Sequence, residues 1–219
     1  PVFEPLTDKL YESKLIYHSP TFGDEVRTFC MNPNGEVVQE NYNGISTVNG
    51  HSYAEKTTNN TNFALLVSEK FTEPFKEPIQ YGQHIARLAN MLAGGILVQR
   101  FGDLLDGRRS TPERIKSSII KPTLTCATPG DLSLVIPYRQ MTSIIEMLQA
   151  LDKVCPGTAS RYTLLYGIEV KFYSARVKLT NNLETEGVKN LFAIGDGAGV
   201  TRGLIQASAS GVHAARTIC

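Results

Sequence analysis

One short segment near the end of the chain combines a carboxylate with several glycines. It reads LFAIGDGAGVTRGLIQASASG from Leu191, with Asp196 between Gly195 and Gly197. Glycine adopts positive φ values and lets another group approach the backbone where a Cβ would clash. A carboxylate accepts hydrogen bonds from hydroxyl groups, and the first amides of a helix favour a phosphate or an electron-rich ring edge. The segment therefore predicts a turn that binds a ligand.

The flanking pattern predicts the elements that position this turn. LFAI (191–194) predicts a short apolar strand, and the last helix is expected from Thr201 to Ile218. Small residues recur four apart on this helix: Gly203, Ala207, Gly211 and Ala215. They predict a smooth face that presses closely on a sheet or a flat ligand. A plain strand-to-helix turn, with small residues that serve packing alone, remains an alternative.

Two familiar motifs do not account for the segment. The glycines are spaced GxGxG rather than GxGxxG, and the ~20 residues that follow are too few for the second strand and acidic ribose ligand of a dinucleotide site. ASASG is not a nucleophile elbow, because Gln206 stands where GxSxG requires glycine.

The composition excludes several classes of protein. Of 219 residues, 42% are hydrophobic and 20% are charged, as in ordinary globular proteins. Lys and Arg number 22 against 21 Asp and Glu, so no net field gathers nucleic acid or anionic lipid, and RNA binding is disfavoured. One basic group lacks interleaved aromatics and predicts a solvated loop: Arg108, Arg109, Arg114, Lys116 and Lys121.

No apolar run is long enough to span a membrane and no signal peptide opens the chain, so we expect a cytoplasmic protein. The four cysteines are Cys30, Cys126, Cys155 and Cys219, and no CxxC pair occurs. The histidines share no ligand spacing, so no metal site is expected, and His84 is predicted to be a surface residue. Because the first residue is Pro1, the chain is interpreted as processed or as a piece of a longer protein.

The order of elements predicts a mixed α/β fold of the α+β type. Strands are expected at 14–18, 26–31 and 36–39, with NPNG (32–35) as a hairpin turn, and FALLVSEKF (63–71) is expected to be an interior strand. Helices are expected from Pro78 to Gly94 and from Pro137 to Cys155. The apolar face of the second helix consists of Met141, Ile144, Ile145, Leu148 and Leu151. A boundary between two domains is expected around 157–175.

The segment ETEGVKNLFAIGDGAG resembles the second flavin-binding motif of glutathione-reductase-type flavoproteins, although one residue more than usual follows Thr185. The resemblance implies that Asp196 hydrogen-bonds the ribitol of FAD, and that Gly195 and Gly197 allow this approach. The amides from Ala198 through Gly203 would face the pyrophosphate or the flavin ring. The implied cofactor-binding set is Gly195, Asp196, Gly197, Ala198, Gly199, Arg202, Gly203 and Leu204.

Three stretches are similar to the FAD-dependent proteins called NAD(FAD)-utilizing dehydrogenases. They are RTFCMNPNGEVV (27–38), VQRFGDLL (98–105) and GIEVKFYSARVKL (167–179), the last joined to the glycine motif. Asn32 stands where that family commonly has a second cysteine, and the N-terminal GxGxxG that holds the ADP half of FAD does not occur in this chain.

This resemblance implies part of a longer FAD-dependent oxidoreductase. Residues 1–165 would form a mixed α/β insertion domain that covers the flavin and shapes the substrate pocket. Residues 166–219 would complete an FAD-binding, Rossmann-like domain. The expected cofactors and partners are FAD, NAD(P)H as electron donor, a small-molecule substrate and the N-terminal remainder of the parent chain. The chain alone should bind FAD weakly or not at all and be inactive. The alternative is a non-enzymatic module whose GDGAG loop takes a phosphate group or a protein partner.

Two further sets of residues are candidates within this family. Cys30 is either a buried thiol that packs as a small hydrophobe or a catalytic thiol that faces the flavin. Gln99, Arg100 and Asp103 form either an Arg–Asp pair that ties a loop or a contact to the substrate or flavin, because arginine suits carboxylates and the electron-rich flavin edge.

Overall fold

The structure, a computed structural model, describes residues 14–170, 176–201 and 203–218. Contacts between Cα atoms group the chain into two compact units, one ending at Val170 and the other following it. The mixed α/β class predicted from the sequence is confirmed, since the described residues form both small sheets and helices. The assignment of 1–165 and 166–219 to functionally distinct domains stays a prediction.

The described strands belong to the first unit and form small sheets. Their bounds are β1 Ile16–His18, β2 Glu25–Asn32, β3 Glu36–Tyr42, β4 Ile45–His51, β5 Asn62–Val67, β6 Leu97–Arg100, β7 Thr128–Pro129 and β8 Leu164–Gly167. One sheet has the order β1-β2-β5, a second pairs β3 with β4, and a third has the order β7-β6-β8. In the third sheet β6 runs parallel to β7 and antiparallel to β8.

The hairpin lies one strand later than the sequence pattern predicted. β2 and β3, which flank NPNG, belong to different sheets, so the prediction of a hairpin at 32–35 was wrong. The hairpin joins β3 and β4 through Asn43 and Gly44, whose φ values are +52° and +81°. Positive φ at both central residues is characteristic of a type I′ turn, whose twist matches that of the paired strands.

The apolar strand β5 is an edge strand, so the prediction of an interior strand was also wrong. β5 pairs only with β2 in its sheet as described, and β2 is the central strand, with Val26 fully buried. The apolar character of β5 has another cause. Its side chains Phe63, Leu65 and Val67 pack on a cluster that contains Met147 of the long helix described next.

The helices occur close to the predicted positions. They are α1 Pro78–Ala93, α2 Phe101–Leu105, α3 Pro112–Lys116, α4 Tyr138–Val154 and α5 Leu204–Ile218. Pro78 occupies the first turn of α1, and Gly94 ends it with φ +69° while its amide donates to the Asn90 carbonyl at 2.7 Å. Within the described residues no helix combines the length and apolarity needed to cross a bilayer.

The main core of the first unit surrounds β6 and α2. It consists of Ala89, Leu97, Phe101, Leu104, Leu132, Val135, Met141, Leu148 and Ile168. Phe101 follows β6 directly and is 1% exposed. Because β6 lies between two strands and leads straight into this core, its last residues have little freedom. The polar side chains at its end are therefore held in fixed places.

Helix α4 is tied to the loop between β1 and β2 by polar side chains. Arg139 donates two hydrogen bonds to the Asp24 carboxylate, at 2.7 and 2.6 Å. Ser19 donates to Glu146 at 2.5 Å, and Thr21 donates to the same carboxylate. The hydrogen bond from Arg139 holds the pKa of Asp24 below its ordinary value. These bonds join segments that are far apart in the sequence.

Candidate functional site

The glycine loop (residues 195–203) is folded around the side chain of Asp196. Asp196 Oδ1 accepts a hydrogen bond from the Thr201 hydroxyl at 2.5 Å and another from the Gly203 amide at 3.3 Å. Asp196 is itself exposed. The carboxylate is thus fixed by its own loop while it remains accessible to a ligand.

The backbone of this loop depends on glycine. Gly195 and Gly199 flank a single 3-10 turn with φ values of +71° and +67°, a region that side chains disfavour. Apart from Gly197 itself and its two chain neighbours, no heavy atom of the described residues lies within 4 Å of the position that a Cβ on Gly197 would take. The Val177 amide donates to the Ala198 carbonyl at 3.1 Å and anchors the turn.

Several backbone amides that were expected to face a ligand are used inside the loop. The Gly199 amide donates to the Asp196 carbonyl at 3.0 Å, and the Val200 amide donates to the Gly195 carbonyl at 3.3 Å. Together with the Gly203 amide, these bonds close the loop on itself. Of the predicted set, Arg202 lies outside the described residues, and Leu204 is the first residue of α5.

The segment LFAI does not form the predicted strand. Phe192 makes an isolated bridge with Glu184, and the Ala193 amide donates to the Leu183 carbonyl at 3.1 Å. No described strand of the second unit lies beside this segment, and Leu191 and Ile194 are exposed. A strand requires a neighbouring backbone along its length, and the described residues of this unit pair with the segment only at the bridge between Glu184 and Phe192.

Helix α5 begins at Leu204, later than predicted, and uses a somewhat different face for packing. The Gly195 amide donates to Ser210 Oγ at 3.0 Å, and a Cβ on Gly211 would come 3.7 Å from Ile194 Cδ1. Ala214 is buried whereas Ala215 is exposed. Residues four apart drift by roughly 40° per step around a helix, so a strict four-residue stripe leaves the contact face.

A second group of polar residues lies at the end of β6. Gln99 is fully buried, and its Oε1 accepts from the Leu132 amide at 2.8 Å while its Nε2 donates to the Arg108 carbonyl at 2.9 Å. The Ser110 hydroxyl accepts from the Arg100 amide at 2.9 Å. The loop that follows α2 is therefore bound to β6 by side chains as well as backbone.

Asp103 is the centre of this group and is 1% exposed at its side chain. Its Oδ1 accepts from Arg108 Nε at 3.0 Å, and its Oδ2 accepts from the Ser110 hydroxyl at 2.8 Å. Arg100 Nε lies 4.0 Å from Oδ2 and Arg114 NH1 lies 3.9 Å from Oδ1. The predicted pair of Arg100 and Asp103 occurs only as a long contact, and Arg108 is the cation nearest to Asp103. The alternative, a contact to the substrate or flavin, stays a prediction.

Arg161 is a fourth arginine near this group, and it is brought there because its backbone lies close to that of Gly102. The Gly102 amide donates to the Arg161 carbonyl at 3.0 Å, and a Cβ on Gly102 would stand only 2.8 Å from Arg161 Cβ. Arg161 NH2 then reaches Asp106 Oδ2 at 2.5 Å, and this hydrogen bond lowers the pKa of Asp106. We call Arg100, Arg108, Arg114 and Arg161, with Asp103 and Asp106, the arginine cluster.

The other sequence candidates lie outside both groups. Cys30 is exposed and has a φ of +47° beside a register shift in β2, so the buried-thiol interpretation was wrong. His84 is exposed on α1, as predicted. Burial raises the pKa of the Cys155 thiol. Among the described residues, no three His, Cys, Asp or Glu side chains come together as metal ligands.

The comparison with known families matches residues 8–172 to the family described as FAD-dependent protein, C-terminal domain-like. The chain belongs to this family. The matched region includes the described part of the first unit, with its arginine cluster, and ends before the glycine loop. An uncharacterised protein of Clostridium beijerinckii is 32% identical over an alignment of 217 residues, which covers 94% of this chain and 40% of that protein. The chain thus spans about two fifths of the length of this relative.

The sequence did not indicate that arginines of the basic loop lie close to a buried carboxylate. Arg108 and Arg114 were predicted to be solvated, and they are partly exposed, yet both also approach a buried carboxylate. Ser110 and Arg161 were not singled out at all. The motif QRFGD contained a signal, because an aspartate three residues after the end of an apolar strand needs nearby donors if it is buried. Arg161 comes from a distant segment, so spacing could not reveal it.

Proposed function

We propose that this chain is part of an FAD-dependent oxidoreductase, and that its glycine loop holds the ribitol part of the cofactor. The observation that carries the proposal is the Asp196 carboxylate, exposed but fixed by Thr201 and Gly203, in a chain of an FAD-dependent family. A carboxylate offers about four lone-pair sites for hydroxyl donors. A polyol chain supplies donors of that kind.

The described residues of the loop fit this group. Asp196 would accept hydrogen bonds from ribitol hydroxyls, and the space beside Gly197 would admit the chain that a side chain would exclude. Gly195 and Gly199 maintain the bend that presents the acid. The flavin, when bound, supplies the electron-transfer chemistry, while the protein binds and orients it.

The remaining parts of the proposal concern the longer protein. Residues 166–219 would complete a Rossmann-like, FAD-binding domain of the longer protein. Residues 1–165 would cover the flavin and shape the pocket for a small-molecule substrate. NAD(P)H is the proposed electron donor, and its addition under anaerobic conditions should bleach the visible flavin bands of the parent protein.

The proposal is tested by comparing the 219-residue chain with a polypeptide that also contains the remainder of the parent protein. The longer protein should show the visible bands of bound flavin, whereas fluorescence titration should detect weak FAD binding or none by the shorter chain. Tight, stoichiometric FAD uptake by the 219-residue chain would contradict the expected dependence on the missing ADP-binding part. A longer protein that binds no flavin would refute the proposal itself.

Variants of the longer protein test the role of the loop. Asp196→Asn should weaken FAD retention about tenfold, because it removes a charge-assisted hydrogen bond. Glu186→Gln is the matched control, since it removes one exposed charge from the same unit and should retain FAD like the wild type. Equal retention in the Asp196 and Glu186 variants would show that the loop does not hold the cofactor.

A non-enzymatic binding module is the second candidate, and one observation favours it. Leu204 and Ile205 open α5 beside the loop and are 89% and 82% exposed, which suits a protein partner. The parent protein separates the two candidates. Flavin bands that depend on Asp196 support the oxidoreductase, and a flavin-free parent protein that retains the loop supports the module.

A further inference from the structure

The arginine cluster has an unbalanced charge. Four guanidinium groups meet two carboxylates through contacts of 4.0 Å or less, which leaves an excess of two positive charges. The whole chain carries a net charge of only +1, so the excess is concentrated here. Like charges held close together repel one another, and the repulsion is stronger near a buried group such as Asp103 than in bulk water.

Arg100 is incompletely satisfied within this cluster. Its Nε is shielded from solvent and has no hydrogen-bond partner among the described residues, since the distance of 4.0 Å to Asp103 Oδ2 is too long for such a bond. Its guanidinium lies over the ring of Tyr162, 5.2 Å from the centroid. A buried donor without an acceptor is costly. The Arg100 side chain as a whole is 16% exposed, so its positive charge is only partly screened by water and attracts an oxyanion at the surface of the cluster.

The neighbouring arginines are fixed before any ligand arrives. Arg108 is held by Asp103 and by Asp106, at 3.0 Å in each case. Arg114 donates to the Arg109 carbonyl at 3.0 Å while it stays 3.9 Å from Asp103 Oδ1. Groups that are already ordered lose little conformational entropy on binding, which favours affinity for a small ligand.

We propose that the arginine cluster binds a small oxyanion of charge −2, either a phosphate group or a dicarboxylate of low molecular weight. Arg100 donates hydrogen bonds to it, and Arg108 and Arg114 supply the remaining positive charge. The planar guanidinium fork matches the oxygen geometry of both groups. This site lies in the first unit and does not depend on the proposed flavin loop.

The test uses calorimetric titration of the 219-residue chain with inorganic phosphate and, separately, with malonate, at constant ionic strength maintained by sodium chloride. Saturable 1:1 binding of at least one ligand is expected. Phosphate alone would identify a phosphate site, and malonate alone a dicarboxylate site. Arg100→Gln should weaken binding at least about tenfold. Arg87→Gln, which removes an exposed arginine of α1, should change the affinity less than about twofold.

A second variant keeps the test decisive if Arg100→Gln fails to fold. Arg100→Lys retains the positive charge but loses the planar fork, and it should fold while binding the same ligand more weakly than the wild type. The bound ligand should also raise the unfolding temperature of the wild type more than that of Arg100→Lys. No saturable binding by the wild type, or equal affinity in the wild type and Arg100→Lys, would overturn the proposal.

Discussion

The two units of this chain use their residues in different ways. The first unit buries large side chains such as Phe101, Leu132 and Met147 around β6 and α4. In the second unit, the buried residues among those described are Ala198, Ser210 and Ala214, while large apolar side chains lie at the surface. The first unit therefore gains stability from its own core, and the second offers small residues and a fixed acidic loop with little core of its own.

The largest expected difference concerns apolar side chains. Phe101→Ala should lower the free energy of unfolding by about 4 kcal/mol, because it opens a cavity in the main core. Leu204→Ala, in the second unit, should change it by less than about 0.5 kcal/mol, because that side chain is exposed. Urea denaturation followed by circular dichroism measures both. Equal losses would mean that the second unit contributes as much buried apolar surface as the first.

The same contrast applies to the two central carboxylates. Asp103→Asn should destabilise the protein by about 3 kcal/mol, because it removes the buried counter-charge of the arginines that surround it. Asp196→Asn should cost less than about 1 kcal/mol, because the acid is exposed and its loop is bonded by backbone amides as well. The two variants can be compared by thermal unfolding, and a larger effect at Asp196 would reverse our ranking of the two sites.

Two glycine substitutions, one in each unit, compare how strongly the backbone conformation of the two units depends on glycine. Gly44→Ala should cost about 1.5 kcal/mol, because a Cβ disfavours the φ of +81° in the type I′ turn. Gly197→Ala should change the stability by less than about 0.5 kcal/mol, since the space around it is open. In the parent protein, however, Gly197→Ala should lower flavin occupancy. A destabilised but flavin-loaded Gly197→Ala variant would contradict both expectations.

The smallest expected effect depends on pH. Asp24 has a lowered pKa in the folded state because Arg139 hydrogen-bonds its charged form, whereas its ordinary value is 3.8. The resulting stabilisation is complete above the unfolded pKa and is lost as pH falls through the lower folded value. Asp24→Asn should therefore cost about 1 kcal/mol at pH 7 and nearly nothing below the folded pKa. Stability measurements across this acidic range would show parallel curves for wild type and variant if the pair were unimportant.

Local patterns predicted the elements well where one signal dominated. Pro78 and Gly94 marked the ends of α1 because a fixed φ and a left-handed residue act through the backbone alone. The pairing of strands was predicted less well, because NPNG and the Asn43–Gly44 turn both carry turn residues and only sheet partners decide between them. The apolar run of β5 likewise indicated burial but not whether a strand or a helix would cover it.

The two candidate sites differ in the same way, because one consists of residues adjacent in the sequence and the other joins distant segments. The glycine loop could be found from sequence, because Asp196 and its glycines are adjacent and resemble a known motif. The arginine cluster could be found only in part. Gln99, Arg100 and Asp103 were recognisable, but Ser110 and Arg161 reach the same carboxylates through a loop and a distant segment, and no spacing rule connects them.

The hydrogen bonds between α4 and the loop that joins β1 to β2 also affect the order in which parts of this protein can fold. Ser19 bonds to Glu146 across 127 positions, and Asp24 bonds to Arg139 across 115. Contacts of such separation form slowly, because the chain must close a large loop before it gains their energy. During synthesis β1 and β2 therefore lack their contacts with α4 until well over a hundred further residues have left the ribosome.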